Sequence, residues 1–395
     1  MNKNILLLSN AYYPSIGGVE NSLRHLAEEA IKSGDIPKII VSDIAIAQGA
    51  TNQFFDTIDG VEVKRYPLVP KSNWMRIFNI FLSSYEHYKL LKQERLKLGD
   101  GDTVVIARFH YSACLAHLAG FKSVKYVVPS VYKNQLKVEP NSSLSQHIKR
   151  KIRLFIHNFA QRKALKYSEN YVFSETMKKQ CIELSGDKNK PYIIAKPGVD
   201  AKRFHPVEPV EKKRLRQELG LPEDKPIVLF VGRFVAAKGV SVLIDAFAQI
   251  KLDAVLVLVG EGTEHQTYVD KIKSLNLQSK VKLFPPTRVV EKFYQSADLF
   301  AMTSNYEPLG QTILEAVASG LEVVAFRPSN IVDTAIEELN INDLVSYAEE
   351  YNPSSLSVTL DVSLKRIENN NDRKNTTPRF PWESLYRELI EDGVE

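Results

Sequence analysis

Short unbroken apolar runs recur along the chain, separated by longer stretches in which apolar residues return every three to four positions. Runs at 5–8, 39–41, 103–107, 124–128, 171–173 and 192–194, then at 227–231, 255–259 and 298–302, read as strands, the last as a buried parallel one, and residues 281–287 read as a strand leading into a loop. Residues 61–66 alternate instead and read as a half-exposed strand. Helical spacing predicts helices over 19–31, from 74 towards 98, over 146–167, over 242–247, from 311 onward and from 381 to the end. Strands and helices taking turns predict an α/β fold with doubly wound parallel sheets. Ser174 reads as a helix cap after the 171–173 run. The polar stretch 369–377 reads as a surface loop, and no solenoid repeat is visible.

Chemistry concentrates where these runs end. After 298–302 comes Tyr306-Glu307-Pro308-Leu309-Gly310-Gln311, with Pro308 and Gly310 marking a turn. Gln311 and Glu315 stand four apart, on one edge of the following helix, and Glu307 lies in the turn before it. Both carboxylates are expected to face the crevice at the carboxyl end of the sheet, where open α/β sheets bind ligands. Acids at a helix start also suit the helix dipole, so this stretch does not decide its own meaning. Its company does. The run 227–231 is followed by Gly232, Arg233, Lys238 and Gly239, and the run 255–259 by Gly260, Glu261 and Gly262. Cations at some strand ends and acids at others suit a ligand with one polyanionic end and one hydroxyl-rich end. In the first half, the strand at 5–8 leads through Gly17 and Gly18 into a helix. Backbone N–H groups approach a phosphate closely where no Cβ intervenes, and a plain tight turn has the same sequence.

The chain has 395 residues, enough for two domains. Hydrophobic residues at 44% and charged ones at 25% are those of an ordinary soluble protein. A net charge of +5 is compatible with anionic substrates or an anionic membrane surface. Two cysteines, Cys114 and Cys181, argue against a disulfide scaffold and for a reducing compartment. The first apolar run is too short for a signal peptide and no stretch has transmembrane length, so a cytoplasmic protein is expected. Asp100-Gly101-Asp102 precedes the strand at 103–107 and therefore lies at its amino end, the wrong edge for a ligand site, so it reads as a turn. No clear metal spacing appears, and no metal requirement is expected. No nucleic-acid module is recognisable.

On these motifs, residues 227–326 resemble the donor domain of the retaining glycosyltransferases of family 4, the glycosyl transferases group 1. Glu307 and Glu315 match that family's Glu-x7-Glu motif, and Gly232, Arg233, Lys238 and Gly239 match its Gly-Arg…Lys-Gly motif. The resemblance implies the GT-B fold, two Rossmann-like domains facing each other across a cleft. It implies an acceptor-binding domain over 1–200, a hinge near Pro197, Gly198 and Pro206, and a nucleotide-sugar domain over 207–378. The helix 381–395 is expected to cross back onto the first domain. It also implies metal-independent, retaining transfer from a nucleotide-diphosphate sugar, UDP before GDP, with no other cofactor.

The roles follow the residues' charge. Arg233 and Lys238 are expected to stabilise the departing diphosphate, with Gly17 and Gly18 assisting. Carboxylates repel phosphate but accept hydrogen bonds from hydroxyls, so Glu307 is expected to hold the transferred sugar and Glu315 the ribose. Gly232, Glu261, Leu309, Gly310 and Gln311 complete the expected donor site. Many family members carry a histidine near the strand end at Pro129 and Ser130; this chain has none there, and His110, with Arg108, is the candidate substitute in the loop after 103–107. The family's glycine-rich acceptor-side loop is replaced by Arg327-Pro328-Ser329-Asn330. The helix 146–167 carries Lys149, Arg150, Lys151, Arg153, Arg162, Lys163 and Lys166 among apolar residues, which suits a peripheral contact with anionic membrane on the inner face of the plasma membrane. The expected acceptor is a glycan or lipid-linked glycan of bacterial surface polysaccharide or lipopolysaccharide. The departures keep open a non-catalytic nucleotide-sugar-binding subunit; a nucleotide-sugar epimerase and a phosphorylase are the remaining rivals.

Overall fold

A computed structural model describes residues 2–15, 17–44, 55–68, 76–99, 102–135, 144–308, 310–369 and 381–391. The chain divides into two compact units, Met1–Gly198 with Trp382–Glu395, and Val199–Pro381.

In the first unit the strands are β1 (Asn4–Leu8), β2 (Ile36–Ser42), β3 (Phe55–Ile58), β4 (Val61–Tyr66), β5 (Thr103–Ala107), β6 (Ser123–Val127), β7 (Glu169–Val172) and β8 (Tyr192–Ile194). They form one sheet in the order β3-β4-β2-β1-β5-β6-β7-β8. The β3–β4 pair is antiparallel and the other pairs are parallel. Chain order changes direction between β1 and β5, so the crevice at their carboxyl ends is this unit's expected ligand position. Strand β4 departs from its alternating sequence: Lys64 and Arg65 are buried. Arg65 donates to the Tyr13 carbonyl at 3.1 Å, and for Lys64 helix Arg76–Leu98 supplies the reason. Its enclosed Glu94 accepts from Lys64 Nζ and Lys38 Nζ, each at 2.6 Å. A charged strand position tolerates burial only when such a partner comes with it.

Ser174 caps helix Glu175–Ser185, its Oγ accepting from Met177 N at 3.0 Å. The helix Trp382–Ile390 packs on this unit. Tyr386 donates to Asp35 Oδ2 at 2.7 Å, Lys3 Nζ donates to the Ile390 carbonyl at 3.0 Å, and Trp382 stacks on His25 at 5.0 Å. Asp102 ends at the amino edge of β5, where its carbonyl accepts from Asn4 N; Asp100 and Gly101 lie outside the described residues, as do 74–75 ahead of helix Arg76–Leu98 and 392–395. Of the polar stretch 369–377, Asn369 is the last residue of helix Pro353–Asn369 rather than loop, and the rest lies outside the described residues.

In the second unit the strands are β9 (Ile227–Val231), β10 (Val255–Val259), β11 (Val281–Phe284), β12 (Leu299–Met302), β13 (Tyr306–Glu307), β14 (Glu322–Phe326), β15 (Asp333–Thr334) and β16 (Val345–Ala348). The main sheet runs β11-β10-β9-β12-β14-β16, all parallel, and β13 pairs with β15 beside it. Alternate residues of each strand feed opposite faces. Leu229, Val257 and Phe300 enter one core, and Val228, Leu256 and Ala301 the other. That two-sided burial is why these runs are apolar without a break. At the amino end of β12, Asp298 accepts from Arg216 at 2.6 Å and from Ile227 N at 2.7 Å, and pairs with Lys212. This fixes helix Pro209–Glu218 to the sheet.

Candidate active site

The chain direction reverses between β9 and β12, and the turns after β9, β10 and β12 meet at that edge. The turns after β9 and β10 lie in close contact. Gly232 N donates to the Val259 carbonyl at 3.0 Å and Phe234 N to the Glu261 carbonyl at 2.8 Å. Gly260 has φ +158°, and a Cβ there would overlap the Gly232 carbonyl, so only glycine fits. Arg233 is exposed, and among the described residues its guanidinium has no hydrogen-bond or ion-pair partner. The Glu261 side chain is exposed too, with His265 Nδ1 at 3.2 Å.

Lys238 ends a short 3-10 turn, Ala236–Lys238. Its carbonyl accepts from Thr303 Oγ1 at 2.9 Å, and its Nζ donates to Glu307 Oε2 at 2.5 Å. Glu307 is held in turn by β13: Ala335 N donates to its carbonyl at 3.0 Å, and Gly310 N donates to its Oε1 at 3.2 Å. Here the sequence expectation needs correction, because Glu307 sits in a short strand paired with β15, not in a bare turn. Gly239 follows Lys238 with φ +65°, and a Cβ would overlap the Thr303 carbonyl. Gly239→Ala should therefore cost about 2 kcal/mol of stability, from the left-handed backbone plus the clash. Urea unfolding of the two proteins measures it, and equal midpoints would mean the turn is not constrained.

Gly310, with φ +78°, precedes helix Gln311–Ala318. Glu315 lies on this helix, and a second correction arises there. It does not open onto the edge but is 7% exposed, with Oε2 accepting from Tyr294 OH at 3.0 Å. Burial raises its pKa to about 7, against the opposing hydrogen bond from Tyr294, the charge of Arg203 and the hydrogen bond from Gln311. Leu309 lies outside the described residues.

The first-unit candidates lie at the β1/β5 edge. Gly17 precedes helix Gly18–Lys32, and the Glu20 carboxylate folds back against it, 2.5 Å from where a Cβ would stand. The turn expected to meet a phosphate thus meets the chain's own carboxylate in this state. Nothing crowds Gly18. Arg108, whose N–H donates to the Leu8 carbonyl at 2.7 Å, is 3% exposed. Its Nε and Nη1 have no partner among the described residues, and Phe173 lies 5.1 Å from Cζ. Burial lowers its pKa to about 10, with Tyr126 and Glu20 acting in the other direction.

His110 was expected in an open loop, but it begins helix His110–Ala119 and is buried. Its Nε2 lies 3.0 Å from His157 Nδ1, and His157 stacks on Tyr132 at 3.9 Å. Burial, then His157, pushes its pKa down to about 3, so the ring is neutral at physiological pH. Among the described residues no group of three or more His, Cys, Asp or Glu is placed to hold a metal ion.

The profile of the family described as Glycosyl transferases group 1 matches residues 211–373. The match falls within the second unit, Val199–Pro381. An uncharacterized glycosyltransferase of Methanocaldococcus jannaschii is 30% identical over 189 residues, 46% of this chain and 47% of its own. The lipopolysaccharide core biosynthesis glycosyltransferase LpsE of Rhizobium meliloti is 36% identical over 112 residues, 28% of this chain and 33% of its own. The chain spans about half, or less, of the curated relatives it matches. Anabaena HepE, solved with UDP-glucose, superposes with a TM-score of 0.71 at 18% identity, covering 98% of each chain. That likeness fixes the fold as GT-B.

Within the second unit the structure joins Lys238 to Glu307, Glu307 to Gly310, and the Gly232 turn to that of Glu261. Sequence reasoning missed Tyr294 and Thr303, which position Glu315 and Lys238 from other elements, and no spacing pointed to either. It also missed Glu20, although an acid three residues after Gly17 is a recognisable helix-start signal.

Proposed function

We propose that this chain is a retaining, metal-independent glycosyltransferase of family 4, using a nucleotide-diphosphate sugar, UDP before GDP. The observation that carries the reading is the Lys238–Glu307 pair at 2.5 Å, with an exposed Arg233 that has no partner among the described residues, at the ligand edge of a unit that matches the group 1 glycosyl transferases. As donor enters, its diphosphate competes for the Lys238 ammonium. Glu307 is then released to accept from hydroxyls of the transferred sugar, and Arg233 supplies the second cation. As the sugar–phosphate bond breaks, charge grows on the diphosphate, and cations already in place stabilise that state more than the ground state. Glu315 is proposed to take the ribose hydroxyls once binding draws them to its carboxylate. Retention by front-face attack is carried over from the family.

The acceptor is proposed to be a glycan or lipid-linked glycan of bacterial surface polysaccharide or lipopolysaccharide; the LpsE relative supports that setting. Among the described residues no helix is long and apolar enough to cross a membrane, and we propose a cytoplasmic protein that meets anionic membrane peripherally through helix Leu144–Tyr167. The enclosed His110 favours a second reading, a binding subunit without transfer.

Thermal shift with UDP, GDP and ADP tests the donor. At a hundredfold excess over Kd, UDP should add about 2.7 kcal/mol to stability. Arg233→Ala should remove most of that, and no shift with any of the three would overturn the reading. Slow hydrolysis of a bound UDP-sugar, seen by mass spectrometry, separates the enzyme from the binding subunit.

A further inference from the structure

Helix Leu144–Tyr167 carries its apolar residues on the wrong side for a buried helix. Its inward face is already packed: Ala160, Ala164 and Leu165 are buried, and the Gln161 amide donates to the Ser130 carbonyl at 2.8 Å and to Tyr126 OH at 3.1 Å. On the opposite face Ile148, Ile152, Phe155 and Phe159, spaced four, three and four apart, form one stripe in solvent, with Phe155 72% and Phe159 54% exposed. Exposed Lys151, Arg162 and Lys166 border it, and Lys163 Nζ lies 5.5 Å over the Phe159 ring. The helix contains no acid.

The stripe has apolar company. Helix His110–Ala119 packs against this helix on one side and against Arg76–Leu98 on the other. It exposes Leu118, and Arg76–Leu98 exposes Phe81 and Tyr85. Between those two helices lies an open groove of about 370 Å³, lined by Phe81, Ser84, Tyr85, Tyr88, Leu115 and Leu118. Exposed apolar surface on three successively packed helices marks a docking face. Charge decides the occupant. A second copy would set two acid-free, lysine- and arginine-rich helices against each other. A nucleic acid would satisfy the cations and leave the phenylalanines in water. An anionic bilayer satisfies both, with phosphates at the cations and acyl chains at the stripe.

We propose that this three-helix face docks the protein on an anionic lipid bilayer by insertion, not by charge alone. Ile148, Ile152, Phe155 and Phe159 enter the acyl boundary, Lys151, Arg162 and Lys166 meet headgroup phosphates, and the groove beside Phe81 and Leu118 receives an acyl chain. The inference rests on the peripheral location proposed above, and vesicle binding tests it apart from sugar transfer.

The experiment is co-sedimentation of the full chain with vesicles of equal parts phosphatidylglycerol and phosphatidylcholine. The double variant Phe155→Ser/Phe159→Ser, at exposed positions, should keep the wild-type melting temperature and UDP response. Its partition onto vesicles should fall about tenfold to hundredfold. Lys151→Glu/Arg162→Glu should lose the preference for phosphatidylglycerol over pure phosphatidylcholine vesicles. High salt should weaken wild-type binding without abolishing it, because screening acts on the charges alone. Unchanged partition of the serine variant would overturn insertion and leave a purely electrostatic contact. Absence of wild-type binding would overturn the peripheral location as well. A wild-type dimer in sedimentation velocity, broken by the serine pair, would assign the face to a second copy and also overturn the proposal.

Discussion

Lys238→Ala lowers the rate of sugar transfer by about 10²–10³-fold, the loss expected when one preorganised charge facing a developing anion is removed. The variant's effect goes beyond the missing cation. In the unliganded protein Lys238 Nζ neutralises Glu307 at 2.5 Å, with side-chain exposures of only 20% and 13%. Taking away the ammonium leaves a partly buried carboxylate facing the incoming diphosphate, so donor affinity falls as well as turnover. Arg233→Ala, which strips an exposed group without a partner among the described residues, should disturb the empty site less, while still weakening UDP binding and slowing transfer. The double variant Lys238→Ala/Glu307→Gln separates the contributions. Removing both charges should restore much of the donor affinity and unliganded stability lost in Lys238→Ala, while transfer stays slow, because neither the diphosphate nor the sugar has its partner. Initial-rate kinetics with a UDP-sugar, beside UDP binding by calorimetry, provide both readouts. Near-normal transfer by Lys238→Ala would mean that the ion pair is structural and that the diphosphate finds its cations elsewhere.

That pair also shows where reading the chain ends. Strand β12 is legible because its residues are all buried between β9 and β14, and burial on two faces leaves no polar position to break the run. Ser174 is legible because capping is settled within three residues. Lys238 and Glu307 are individually legible as strand-end charges, but their contact joins residues 69 apart and depends on the β13–β15 pairing, whose second strand lies well downstream. The alternation in β4 misleads for the same reason. It predicts solvent at Lys64, and the partner that allows burial, Glu94, is 30 residues away on a helix whose own pattern says nothing about β4. His110 fails more locally: the loop expected after β5 is too short to exist, because helix His110–Ala119 begins two residues after Arg108 and turns the ring inward. Local chemistry is written locally, while burial of a charge is settled by whichever distant element arrives to cover it.

Glu315→Gln makes the unliganded protein more stable at alkaline pH than at acid pH relative to wild type. The cause is the enclosure of the Glu315 carboxyl beneath helix Glu291–Ser296, where Tyr294 donates to it at 3.0 Å and burial lifts its pKa from 4.5 to about 7. A carboxyl with a raised folded-state pKa costs nothing below its unfolded value, since it is protonated in both states. As pH climbs from about 4.5 through about 7, the unfolded chain ionises first and folding must oppose that ionisation. At about 1.4 kcal/mol per pKa unit, wild type should lose about 2.5 kcal/mol from this group between pH 5 and pH 8, a loss the glutamine variant escapes. Urea unfolding of both proteins at the two pH values gives the difference, and parallel changes would show that Glu315 ionises freely. UDP binding should carry the opposite sign. Ribose hydroxyls donating to Glu315 favour its charged form, so wild-type affinity should rise with pH through about 7 with release of a proton, and Glu315→Gln should bind weakly and without that slope. Calorimetry in buffers of different ionisation heat counts the proton. Its absence, with affinity intact in the glutamine variant, would move the ribose to another partner and leave Glu315 as a buried hydrogen-bond acceptor for Tyr294.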